Sequence, residues 1–178
     1  MKFAALLRGI NVGKSVQVPM KTLKALLEEL GLEKVITYLN SGNVIFSSEL
    51  DTMELSLMLE AQLENRFGQK IPVLVKSSPE IIRIQEAIPP DWKNDEIEQS
   101  YVAYLFREFA RPGLISELPI KTEFMTIMYA HEALIWNIKR ENYNKSHITK
   151  IASHASYSGM TTRNVNTARK LAELCRLD

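Results

Sequence analysis

At 178 residues the chain is long enough for one large domain or two small ones, since domains commonly run roughly 50–200 residues. Hydrophobic residues at 46% and charged residues at 24% exclude a disordered chain, which lacks the apolar surface to offset its entropy. A formal net charge of +1 demands no acidic or nucleic-acid partner, and a single cysteine, Cys175, excludes an intramolecular disulfide or a cysteine-rich metal site.

The run Met1 to Leu7 is apolar for only five residues before Arg8, too short for a signal-peptide core or a membrane span. The expectation is a cytoplasmic protein with no membrane partner. Phe3 to Ile10 reads as a strand buried on both faces, closed by Gly9 and Asn11. Pro19 suits a first helical position, because its missing N–H has no partner there in any case. Met20, Leu23, Leu26, Leu27 and Leu30 follow at helical spacing, and Gly31 supplies a left-handed stop.

Val35 to Leu39 and Val44 to Ser47 are β-rich runs separated by Asn40-Ser41-Gly42-Asn43, a hairpin signature. Asp51 with Glu54 resembles a capping box for a helix reaching Gly68, and Ile71 to Val75 closes the unit as a strand. A short helix runs from Ser78 to Ile88 and stops at Pro89-Pro90. In the second half, Tyr101 to Phe106 reads as a strand and Pro112 to Leu118 as a short helix. Glu123 to Tyr129 and Leu134 to Ile138 read as strands around an Ala130-His131-Glu132 turn. Helical material is expected from about Ser146 to His154, and a last helix from Arg163 to Arg176.

This order predicts an α+β protein. A ferredoxin-like βαββαβ unit occupies residues 1–88, and residues 89–99 form an acidic linker. A second, degenerate βαββαα unit occupies 100–178, packed with the first. In the second unit a helix stands where the closing strand would be. Strand one is apolar on both faces, so its second face needs cover from the C-terminal half or from a homodimer partner. The choice between monomer and homodimer stays open.

The candidate site is the rim where the first strand ends. Arg8, Asn11, Gly13, Lys14, Asn40, Ser41 and Asn43 are expected to gather there, beside the positive end of the first helix. Residues 1–24 carry five cations and no acid, and from Lys139 onward eight bases face three acids, so a positive face for an anion is within reach. Arg163 and Asn164 are expected in the first turn of the last helix, after a Thr161-Thr162 cap. A cation there opposes the helix dipole and implies a nearby negative group.

Gly9-Ile10-Asn11-Val12-Gly13-Lys14-Ser15 approaches a P-loop but is one residue short between its glycines, and its helix begins too late, which excludes a P-loop NTPase. Strand three lacks the basic-glycine-aromatic order of an RNA-binding sheet. His131, His147 and His154 have no metal-ligand spacing, no serine sits in a nucleophile elbow, and no cofactor is implied.

The chain resembles a bacterial family, domain of unknown function 1697. The resemblance rests on Leu7-Arg8-Gly9-Ile10-Asn11-Val12-Gly13, Val18-Pro19-Met20 and Leu26-Leu27. It continues through Thr37-Tyr38-Leu39-Asn40-Ser41-Gly42-Asn43-Val44, Thr161-Thr162-Arg163-Asn164 and Leu171-Ala172-Glu173-Leu174. It implies an α+β protein of about this length and no particular activity or catalytic residues. Lys14 stands where members often carry a second glycine, Ser15 where a basic residue usually follows, and Val165 where they usually carry Trp.

Three functions follow from the residues. The first is a binding module for an anionic small molecule bearing phosphate or carboxylate, or for a nucleic-acid end, at the Arg8–Lys14 rim. The second is an enzyme in which Arg8, Asn43 or Arg163 stabilises negative charge, with no general base in view. The third is an interaction protein whose polar motifs only build turns.

Overall fold

In a computed structural model, which describes residues 1–177, the chain divides into two compact units, Met1–Ile81 with Leu171–Asp178, and Ile82–Lys170. The first contains β1 (Lys2–Leu7), α1 (Met20–Glu29), β2 (Glu33–Tyr38), β3 (Asn43–Ser47), α2 (Thr52–Phe67) and β4 (Val73–Ser77). Its sheet runs β2-β3-β1-β4 with every pairing antiparallel, so β1 lies between β3 and β4.

The local rules that set these elements are visible in the geometry. Helix α1 ends in a Schellman arrangement: Leu32 N donates to Leu27 O at 3.1 Å, Gly31 N to Glu28 O at 3.0 Å, and Gly31 adopts φ +80°. Helix α2 opens on the expected capping box between Asp51 and Glu54 and closes at Gly68 with φ +70°. Phe3, Ala5 and Leu7 of β1 pack with Leu23 and Leu27 of α1 and with Leu55, Leu59 and Leu63 of α2. Burial of each such leucine contributes about 1.5–3 kcal/mol. Ala4 and Leu6, on the other face of β1, are buried as well, so two-sided burial of the first strand holds.

Helix α3 (Ser78–Glu86) begins with half a capping box. Glu80 Oε2 accepts from Ser77 N at 2.8 Å and from Ser77 Oγ at 2.5 Å, while Lys76 Nζ stands 3.7 Å from Oε1. Burial pushes the Glu80 carboxyl up, but the Ser77 bonds and the Lys76 charge outweigh it and leave it below its ordinary 4.5. A carboxylate depressed in the fold contributes stability that is present above its unfolded value and lost as pH falls through the folded one. Urea melts from pH 6 down to pH 3 are therefore expected to show a steeper loss in the wild type than in Glu80→Gln, starting near 4.5. Parallel pH profiles would refute that account.

The second unit contains β5 (Glu98–Leu105), α4 (Leu114–Glu117), β6 (Thr126–Ala130), β7 (Ala133–Lys139) and β8 (Met160–Asn164); α5 (Val165–Arg176) begins in it and passes into the first unit at Leu171. Its antiparallel sheet runs β6-β7-β5-β8, the same order as the first. The closing strand read as absent is therefore present, ahead of the last helix. Met160-Thr161-Thr162-Arg163-Asn164 has no apolar alternation, so only its pairing with β5 makes it a strand.

Three smaller differences follow. The helix expected from Ser146 to His154 is a 3₁₀ segment, Ile148–Ser153, and a second 3₁₀ segment covers Ala155–Gly159. Pro19 is the N-cap of α1 rather than its first helical residue. Strand β5 starts at Glu98, inside the acidic run, where Asp95 Oδ1 accepts from Ile97 N and Glu98 N. His131 and Glu132 both adopt positive φ between β6 and β7, the geometry of a type I′ hairpin. Among the described residues no helix is long and apolar enough to cross a membrane.

Candidate functional site

At the rim of the first unit, β1 hands over to a loop built on left-handed residues: Gly9, Asn11 and Gly13 have φ of +69°, +56° and +53°. Asn tolerates this region because its short amide bonds locally. Here Asn11 Nδ2 donates to Val18 O at 2.9 Å and to Asn40 O at 2.8 Å, while Oδ1 accepts from Val18 N at 2.7 Å. One carboxamide thus ties the loop to the approach of α1 and to the β2–β3 turn.

Asn43 is fully buried, and its Nδ2 donates to Tyr38 O at 2.8 Å and to Ser41 Oγ at 2.9 Å. Leu7 N donates to Gly42 O and Arg8 N to Pro72 O. Gly13 and Lys14 form the exposed tip of a turn closed by Ser15 N donating to Val12 O at 2.9 Å. The structure thus brings Asn11 together with Asn40, and Ser41 with Asn43.

Arg163 and Asn164 belong to the second unit and sit on β8, not in a helix. Arg163 is buried and donates through Nη1 to Thr161 Oγ1 and Thr162 O, both at 2.9 Å. Burial lowers its pKa to about 10, against a smaller opposing effect of Tyr104. Asn164 Oδ1 accepts from Thr167 N at 2.8 Å and so caps the last helix, the part expected of Thr161-Thr162.

A different site lies within the second unit. Tyr101 on β5 and Trp136 on β7 are cross-strand partners whose rings stack at 5.9 Å with 25° between planes. They form the floor of a cavity of about 400 Å³, roofed by the 3₁₀ segments through Ile148, Thr149, Ile151 and Tyr157. Its lining holds four aromatic side chains and no charged one. No hydrogen bond to another described residue satisfies the Gln99 carboxamide or the Thr149 and Thr162 hydroxyls, which also line it. On the same strands, Asn137 Nδ2 by contrast donates to Ser100 Oγ at 2.8 Å. The cavity therefore concentrates aromatic faces and open hydrogen-bonding groups.

Residues 1–136 match the sequence model of a family described as a protein of unknown function, DUF1697. The chain belongs to that family. Among solved structures it is similar to a conserved bacterial protein, SP0830, from Streptococcus pneumoniae, at 26% identity and a TM-score of 0.81 over 98% of both chains. No curated protein matches it.

In this DUF1697 chain the matched stretch holds the rim and both floor rings, whereas the roof and Thr162 lie beyond it. Sequence reasoning missed the cavity because it sought stacked aromatics on strand three of the first unit. The available signal was Tyr101 and Trp136 on the first and third strands of the second.

The rim carries a test of its own. Asn11→Ala removes three hydrogen bonds and places alanine in a left-handed conformation, so a loss of about 2 kcal/mol in urea melts is expected. A loss indistinguishable from zero would mean that water replaces the amide without cost.

Proposed function

We propose that this chain binds a small, uncharged molecule carrying an aromatic or heteroaromatic ring in the cavity of its second unit. The observation that carries the reading is the lining: stacked rings and neutral hydrogen-bonding groups, with no charged side chain, around about 400 Å³. Such volume and composition suit a drug-sized ring compound, and aromatic stacking favours a planar face. A charged group placed among these residues would lose hydration without a counter-ion. Trp136 reports on its own site. In a Trp92→Phe background, a panel of one- and two-ring compounds is expected to include one that changes Trp136 fluorescence saturably. A panel without any saturable change removes the reading.

A second reading keeps a phosphate- or carboxylate-bearing ligand, or a nucleic-acid end, at the rim. Helix α1 starts without a side-chain cap or an acid in its first turn, and Asn11 ties the loop carrying Lys14 to Val18 just ahead of it. Its support is lost if inorganic phosphate and short oligonucleotides bind the wild type and Lys14→Glu alike.

A further inference from the structure

The cavity also constrains the edge of its ligand, an inference that rests on the ring-binding reading above. The floor rings lie on the two central strands of the sheet, on the face covered by the 3₁₀ segments. Proteins that bind nucleic-acid strands on a sheet leave such rings open so that successive bases can stack. Here Ile148 and Ile151 belong to the same apolar cluster as Trp136 and line the cavity with it, which suits one isolated ring rather than a strand laid across the sheet.

Around that ring, the polar groups are those that read an edge. Gln99 lies on the same face of β5 as Tyr101, two residues before it, and pairs in register with Ile138 of β7. Thr162 of β8 stands opposite Ala103, on the other side of Tyr101 along the strand. A carboxamide presents one acceptor and two donors together, and a threonine hydroxyl can do either. The pairing of Asn or Gln with an adenine edge uses that same donor–acceptor couple. Nothing in the lining recognises a phosphate or carboxylate, because it holds no cation.

We infer that the ligand is a planar heterocycle of the nucleobase class, free or as its nucleoside, with its face on Tyr101 and Trp136, its donor–acceptor edge read by Gln99 and its opposite side towards Thr162.

The test is a set of titrations followed by Trp136 fluorescence in the Trp92→Phe background. It uses adenine, guanine, cytosine, uracil and their nucleosides, with indole as a flat ring of similar area and a much poorer edge. At least one base is expected to bind about tenfold tighter than indole, the value of one well-made hydrogen bond. Gln99→Met is expected to remove that advantage while leaving indole affinity unchanged, with a thermal melt confirming that the variant is folded.

If indole binds as tightly as every base, or Gln99→Met weakens both alike, edge recognition is overturned while ring binding stands. If neither indole nor any base binds, both readings fall. A monosaccharide that binds where the bases do not overturns the ligand class. So does a single-stranded oligonucleotide that binds where free bases do not.

Discussion

Gly42→Ala is expected to destabilise the first unit by about 2–4 kcal/mol, read as a lower urea midpoint with an unchanged slope. Two effects add. Gly42 sits at φ +74°, where an L side chain costs roughly 1 kcal/mol. A Cβ there would also lie 2.7 Å from Leu7 Cβ and 2.7 Å from Ile10 Cδ1. The isoleucine tip can rotate aside, but Leu7 Cβ cannot. Leu7 belongs to β1, pairs with Val73, and donates its N–H to Gly42 O at 2.8 Å. Moving it breaks the contact that joins strand to turn. Gly9→Ala is the control, because Gly9 has φ +69° and open space where its Cβ would stand. That variant loses only the backbone part, about 1 kcal/mol. Equal losses in the two variants would show that the crowding at Gly42 relaxes without cost.

What could be read from the sequence follows the range of the interactions. Helix α2 was legible because Asp51, Glu54 and Gly68 act within their own turns. The rim turns were legible because residues 9, 13 and 42 adopt backbone conformations that favour glycine. What Asn11 does there was not, since its partners Val18 and Asn40 come from separate segments and only folding brings them within 3 Å. Strand β8 escaped for the same reason: Thr162 and Arg163 are strand residues only because Ala103 and Val102 pair with them. The cavity was least legible. Its floor joins β5 to β7, and its roof is a pair of 3₁₀ segments whose Ile148 and Ile151 carry too little periodicity to reveal which face they cover.

Trp136→Ala should cost about 3–5 kcal/mol, since a large buried ring is deleted from a sheet that cannot collapse around the void. Trp136 is 6% exposed, lies between Tyr101 of β5 and Ile127 of β6, and joins the cluster that includes Leu134, Ile138 and Ile151. Part of the loss belongs to the Tyr101 stack, because such pairs contribute about 0.5–1.5 kcal/mol beyond their buried area. A double-mutant cycle of Trp136→Ala with Tyr101→Ala isolates that coupling. The cycle also bears on what the floor is for. Coupling near 1 kcal/mol in the ligand-free protein would mean that the two rings hold each other as a preformed platform, ready to stack a third. Coupling near zero would mean that each ring is fixed by its own strand and by the roof. A ligand would then meet two rings that are each held separately, and their mutual stack would add nothing to the platform.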